Sequence, residues 1–407
     1  MYLISKEDRS LKGEINISGS KSESNRLLII RAYTSFFKII NLSDSDDTNT
    51  LISALESNDE KINIGHAGTA MRFLTSYFSS TQNSSKILTG SERMKERPIS
   101  ILVDALNSIG ADIEYIDKVG YPPIRLKGKL ISNYTVSLPA NVSSQYLSSL
   151  MMLGISLSEG LIINLSTKIT SLPYIKMTKE LIERVGGKIF IQPDKIIVEP
   201  ILENKISDQT VESDWSSASY FYSLVALSDF SEITISSFFK KSIQGDSRIV
   251  ELYKQFGVET KFRDNKIYLK KNKIVLPDSI SINLEDNPDL AQTIVVTCLG
   301  LGVDCDLQGL HTLKIKETDR LLALKKEIEK FDVDRVDVSD QSITLKNNSD
   351  LKTGVSIDTY NDHRMALSFA PLSLINPIII NNPEVVSKSY SNFWNDLKLL
   401  GFNISKK

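Results

Sequence analysis

At 407 residues the chain exceeds one ordinary hydrophobic core, and its 41% hydrophobic content supplies enough apolar surface for two globular domains. A net charge of −2, from 48 basic and 50 acidic residues spread along the sequence, excludes a nucleic-acid binder with a broad basic face. Any anion site must therefore be a local concentration of cations. The longest apolar stretches, around Thr293 to Val303 and Phe369 to Ile380, fall well short of the roughly 20 residues a membrane helix needs and predict buried helix or strand.

Met1 to Gly13 is charged and lacks the basic-then-apolar pattern of a secretory signal. The two cysteines, Cys298 and Cys305, sit in apolar surroundings with no Cys/His ligand spacing, so neither a structural zinc site nor a disulfide framework is expected. A cytoplasmic location is the expectation.

Taken along the chain, helix starts recur with similar signals. Ser20 and Glu23 form a capping box ahead of Arg26 and Leu27. Gly68 and Thr69 precede Ala70. Ser143 and Ser144 precede Gln145, Pro288 stands at a first helical position after Asn287, and Asp362 precedes His363. Helix ends recur too. An amphipathic helix runs into a breaker at Gly110, Gly186, Gly257, Asp332 and Gly401, about 70 to 76 residues apart. After the breakers come alternating segments joined by polar turns, such as Lys188–Ile191 with Lys195–Val198, or Thr260–Phe262 with Lys266–Leu269 across Asp264 and Asn265. Helix and strand thus alternate in repeated units, which predicts a duplicated α/β architecture.

The candidate functional side chains sit at these helix starts: Lys21, Ser22 and Arg26; Gly68, Thr69 and Arg72; Arg93 and Arg97; Lys316, Glu317 and Arg320; His363 and Arg364. Arginine holds carboxylate or phosphate bidentately, and lysine adds a compact point charge. Taken one at a time, each reads as a solvated surface charge. Asp289 reads equally as a first-turn acid and Glu317 as part of an exposed ion-pair lattice, while Gly68 reads as a turn glycine and Ser143 as an N-cap. His66, His311 and His363 show no metal-ligand spacing. No Walker loop, dinucleotide-binding glycine fingerprint or GxSxG elbow is present.

Read in order, these segments resemble the EPSP synthase family over nearly the whole chain. The resemblance is carried by Gly19 to Arg26, Ala67 to Arg72, Arg93 to Pro98, Ser143 to Gln145, Asn287 to Asp289, Lys316 to Arg320, Tyr360 to Ala366, and Ser387 with Lys388. It implies an α/β fold of two similar domains, each built from three β-α-β-α-β-β repeats as an inside-out α/β barrel and joined by two hinge strands. One domain would combine residues 1–19 with 213–407, the other would span 20–212, and the active site would lie between them.

The resemblance further implies transfer of the carboxyvinyl group of phosphoenolpyruvate to the 5-hydroxyl of shikimate 3-phosphate, on the route to chorismate. Shikimate 3-phosphate would be held by Lys21, Ser22, Arg26, Ser143, Ser144, Gln145, Ser171, Asp289 and Lys316. Phosphoenolpyruvate would be held by Lys21, Gly68, Arg97, Gln145, Arg320, Arg364 and Lys388. Asp289, Glu317 and Lys21 are the expected catalytic groups. No cofactor or metal is implied; the partners are the two small molecules, with no nucleic acid or membrane, and the chain would be a monomer. Glyphosate, the family's herbicide, would compete for the phosphoenolpyruvate site.

This chain departs from the family's frequent pattern at His66 and Phe73, which replace Asn and Pro, and at Thr312, which replaces Asn. Two other functions stand beside this reading: the related transferase acting on UDP-N-acetylglucosamine, and a catalytically silent anion-binding protein of the same fold. The related transferase usually carries a reactive Cys or Asp near the position of Arg93 to Arg97, and neither cysteine of this chain lies there.

Overall fold

A computed structural model describes residues 1–34, 37–141, 143–202, 206–347 and 351–407. The chain forms two compact units, Met1–Gly19 with Glu212–Lys407, and Ser20–Val211.

The repeating element is seen most simply in the second unit. Strand Lys61–Asn63 leads through helix Gly68–Ser80 to strand Ser85–Thr89, then through helix Ser100–Ser108 to the hairpin Asp112–Tyr115 and Ile124–Lys127. The first two strands pair in parallel, which requires a helical crossover, and the hairpin adds two antiparallel neighbours. The same order recurs in Thr135–Leu138, Leu161–Leu165, Lys195–Val198 and Ile189–Ile191. It recurs again in the first unit, in Ser279–Asn283, Asp304–Gln308, Ser342–Lys346 and Arg335–Val338.

Two more sheets of the first unit are completed by the N-terminus. Tyr2–Ser5 lies antiparallel between Ile378–Ile380 and Asn403–Lys406, while Ser10–Ile15 runs parallel to Phe230–Ser236, which pairs with the hairpin Val258–Arg263 and Lys266–Lys271. Alternation places Leu11, Ile15, Ile233, Ile235, Ile267 and Leu269 in the core and Lys12, Glu14, Thr234 and Lys270 on the other face. The remaining sheet of the second unit is, among the described residues, a parallel pair, Ile39–Ile40 with Gln209–Thr210.

The expected helix endings are present. Gly110, Gly186, Gly257 and Gly401 take positive φ, and Asp332 does the same at φ 58°. Only glycine adopts this conformation cheaply, so Asp332 is the strained member of the set. The hairpin turn at Asp264 and Asn265 carries positive φ at both residues, 51° and 55°, the geometry that matches strand twist.

Each unit contains three mutually packed helices buried on nearly every face. These are Trp215–Leu227, Ala291–Leu301 and His363–Phe369 in the first unit, and Lys21–Tyr33, Gly68–Ser80 and Ser144–Gly154 in the second. The Lys21, Trp215 and Ala291 helices, so enclosed, carry little amphipathic periodicity. Several buried hydroxyls bond across these helices: Ser219 with Thr293 at 3.1 Å, Thr297 to Ser223 at 2.8 Å, and Ser76 with Ser149 at 2.7 Å. Cys298, on the Ala291 helix, and Cys305 are both buried free thiols. No helix among the described residues is long and apolar enough to cross a membrane.

Candidate active site

In the first unit the polar residues gather at the starts of the three buried helices. Asp214 caps the Trp215 helix, Asn287 and Pro288 open the turn that leads into the Ala291 helix, and Asp362 caps the His363 helix by accepting from the Arg364 backbone N–H at 2.9 Å. The adjoining helix Arg320–Glu329 brings Arg320 to the same place.

Arg320 is 2% exposed and is the hub. Its Nη1 donates to Asp289 Oδ1 at 3.0 Å, Nη2 to Glu317 Oε2 at 2.8 Å, and Nε to Asp362 Oδ2 at 2.7 Å. Arg364 Nη2 stands 3.0 Å from the other Asp289 oxygen, Lys316 Nζ is 3.7 Å from Asp289, and Lys388 Nζ is 3.2 Å from Glu317 Oε1. The sequence-predicted set Asp289, Lys316, Glu317, Arg320, Arg364 and Lys388 thus forms one continuous network.

Burial opposes the charge on Asp289, but Arg364, Lys316 and Arg320 outweigh it and hold the carboxyl well below the usual carboxylate range. Burial likewise opposes the Arg320 charge and is outweighed by Asp362, Glu317 and Asp289. One member carried no signal in the sequence beyond its place after Gln244 and Gly245. Asp246 is buried, with one oxygen bonded to the Ser216 hydroxyl and the other without a hydrogen-bond partner among the described residues. Burial, reinforced by the Asp289 charge, pushes its carboxyl up to about 6 despite Arg364 and the Ser216 hydroxyl. Ser216 in turn accepts from Arg364 Nη2 at 3.3 Å, and Tyr220 lies 3.4 Å from Nη1.

In the second unit Ser20 caps the Lys21 helix through the Glu23 N–H at 3.4 Å, and Ser143 caps the Ser144 helix through the Gln145 N–H at 3.3 Å. Ala67 supplies no side-chain cap to the Gly68 helix, which leaves its first N–H groups facing outward from the helix end. Gln145 Nε2 donates to Thr69 Oγ1 at 3.1 Å and so ties two helix starts together. Lys21 Nζ is 3.3 Å from Asp47 Oδ2. Ser22 contributes its carbonyl to Arg26 Nη1 at 2.9 Å.

Arg26 is 2% exposed, and among the described residues it forms no ion pair. Thr178, Ser148 and the Ser22 carbonyl satisfy it, and burial lowers its proton affinity to about 10. The Phe73 ring, a departure from the family pattern, lies 5.5 Å from this guanidinium, in cation–π range. Ser171, at the start of the helix Leu172–Arg184, is buried with φ 53°, a conformation that serine adopts only at a cost.

Arg93 and Arg97, neighbours in the sequence, separate here. Arg93 pairs with Glu96 at 3.0 Å, whereas Arg97 is buried against Gly68, and a Cβ on Gly68 would lie 2.4 Å from Arg97 Nη1. His66 bonds through Nδ1 to Ser91 at 2.9 Å. The Thr312 hydroxyl is buried without a hydrogen-bond partner among the described residues.

The chain matches a family model for EPSP synthase (3-phosphoshikimate 1-carboxyvinyltransferase) over residues 51–397. A Bacteroides fragilis protein named 3-phosphoshikimate 1-carboxyvinyltransferase is 44% identical over 406 residues, covering 99% of this chain and 98% of that protein. An Aliivibrio fischeri protein of the same name is 33% identical over 420 residues, covering 96% and 97%. Among solved structures, EPSP synthase from Acinetobacter baumannii superposes with a TM-score of 0.75 at 18% identity over 100% of this chain and 99% of that one. The enolpyruvyl transferase NikO from Streptomyces tendae gives 0.74 at 14% identity over 99% and 98%. These two likenesses speak to the fold, which is the two-domain enolpyruvyl transferase fold. By the family match and the near-complete coverage of its relatives, the chain belongs to the EPSP synthase family.

Proposed function

We propose that the protein transfers the carboxyvinyl group of phosphoenolpyruvate to the 5-hydroxyl of shikimate 3-phosphate and releases phosphate. The observation that carries this reading is the pairing of Asp289 and Glu317 on one buried guanidinium, Arg320, with Arg364 and Lys388 beside them. Two carboxylates among fixed cations suit a reaction that binds an anion and moves a proton at each of two atoms.

In the addition step the 5-hydroxyl gives up its proton and bonds to C2 of phosphoenolpyruvate, while C3 of the double bond gains a proton. Asp289 is assigned to the hydroxyl and Glu317 to C3, with Lys21 sharing in proton transfer. In the elimination step the new methyl group loses a proton and phosphate leaves with the electron pair. The hydroxyl proton ends on phosphate, so the sum consumes no acid or base, and the chemistry calls for no metal or organic cofactor.

Asp289 without ligands is a weak proton acceptor because Arg364, Lys316 and Arg320 stabilise its charge. A phosphate and a carboxylate bound to those cations offset that stabilisation and return basicity to Asp289 when substrate is present. The set Lys21, Gly68, Arg97, Gln145, Arg320, Arg364 and Lys388 is assigned to phosphoenolpyruvate. Lys21, Ser22, Arg26, Ser143, Ser144, Gln145, Ser171, Asp289 and Lys316 are assigned to shikimate 3-phosphate. A buried guanidinium satisfied by neutral oxygens, as Arg26 is, retains its full charge for an anionic ligand. The assignments draw on residues of both halves of the chain, and the enzyme is assigned as monomeric and cytoplasmic.

Phosphorus NMR of the protein with both substrates tests this reading. Stoichiometric growth of inorganic phosphate with a shifted ester phosphate signal supports it, and unchanged spectra from folded protein refute it.

A further inference from the structure

The helix Arg320–Glu329 grips the segment Asp358–Arg364 at two points. At its first residue Arg320 donates to Asp362. About two turns further on, Glu327 is 0% exposed and accepts from the Tyr360 hydroxyl at Oε1, 2.6 Å. Its Oε2 accepts from the Asp358 backbone N–H at 2.9 Å and from Lys330 Nζ at 2.6 Å.

Between these anchors Tyr360 and Asn361 are both left-handed, at φ 52° and 55°. Asparagine enters that conformation readily, but a bulky tyrosine holds it only where its surroundings impose it. The Asp362 N–H closes the turn on the Thr359 carbonyl at 2.8 Å, and Asp362 then caps the helix that carries Arg364. A buried carboxylate is costly unless fully hydrogen-bonded. Glu327 meets that demand with groups of the turn itself, together with Lys330, which caps the end of its own helix. None of its bonds reaches the Asp289 cluster directly.

We infer that Glu327 and Tyr360 are positioning residues that hold the strained turn and thereby aim Arg364 at phosphoenolpyruvate and Asp362 at Arg320. This rests on the phosphoenolpyruvate assignment of Arg320 and Arg364 given above. Clamping the two ends of the turn to one rigid helix fixes the direction of Arg364, and a small misplacement of a substrate-binding guanidinium is expensive in rate.

The test uses full-length protein with Tyr360→Phe, Glu327→Ala and the double variant, measuring the KM for each substrate, kcat and Tm. Tyr360→Phe removes only the hydroxyl, so it decides the matter if Glu327→Ala does not fold. The expected result is a rise in the phosphoenolpyruvate KM of roughly five- to ten-fold, with the shikimate 3-phosphate KM within about two-fold of wild type. The double variant is expected to match the worse single variant, as residues acting through one bond do. A lowered Tm with an unchanged phosphoenolpyruvate KM in Tyr360→Phe overturns the inference, as does full additivity. Failure of the wild type itself to turn over defeats the functional reading and this inference with it.

Discussion

Asp289 and Arg320 meet at 3.0 Å, and the same Asp289 carboxylate also faces Arg364 at 3.0 Å and Lys316 at 3.7 Å. An acid so firmly ionised is fitted to orient a hydroxyl by accepting its hydrogen bond, and it gains basicity only when bound anions offset those cations. Asp289→Asn preserves its size and its place in the turn but removes the charge. We expect kcat to fall by about 10²- to 10⁴-fold with little change in the circular dichroism spectrum. Near-normal turnover in the folded variant would remove Asp289 from the mechanism.

Glu317 shares Arg320 with Asp289 and contacts Lys388 at 3.2 Å. Glu317→Gln keeps an oxygen for Arg320 yet cannot carry a proton to carbon. Its loss of kcat is expected to be of the same order. Solvent deuterium should also enter the methylene group of recovered phosphoenolpyruvate more slowly than with wild type. Unchanged exchange would assign the carbon proton to another group.

Gly68 has no room for a side chain, because a Cβ would press on Arg97 Nη1 at 2.4 Å. Arg97 ends in a flexible side chain, so Gly68→Ala folds and moves the guanidinium instead. The predicted result is a higher KM for phosphoenolpyruvate and weaker inhibition by glyphosate, with the shikimate 3-phosphate KM preserved. Steady-state kinetics with glyphosate as competitor measure all three.

Asp246 has a raised proton affinity in the folded chain, about 6 against 3.8 for the ordinary side chain. Between those values the folded state binds the proton and the unfolded state does not. Stability from this group is therefore fully present at low pH and falls as pH rises towards 6. Asp246→Asn should stabilise the protein above pH 7, by at most about 3 kcal/mol, and the difference should vanish near pH 4. Thermal denaturation of both proteins across that range checks the sign. A variant that is less stable at every pH would show that the Asp246 charge is supported, not tolerated.

Much of the fold was legible because it is repetitive. A breaker that must be left-handed is a local requirement, so Gly110, Gly186, Gly257 and Gly401 announce their helix ends, and the spacing makes even Asp332 readable. Strand pairing is not local. Nothing in Tyr2–Ser5 shows that it lies between Ile378–Ile380 and Asn403–Lys406, because edge and central strands share one alternation.

In the candidate site, residues in long motifs were readable and those outside them were not. Asp246 and Ser216 gain significance only from burial beside Arg364, which no spacing reports. Phe73 looked like a simple departure from a pattern, but its ring covers the Arg26 guanidinium. Glu327 reads as one more charge on an amphipathic helix, although it is fully buried.

Whether shikimate 3-phosphate is the acceptor is decided by phosphate release from phosphoenolpyruvate. Purified protein is given phosphoenolpyruvate with shikimate 3-phosphate in one series and UDP-N-acetylglucosamine in another. Continuous release is expected in the first series alone, slowed about 10²- to 10⁴-fold by Asp289→Asn. Release in the second series, or in neither series from folded protein, would contradict it.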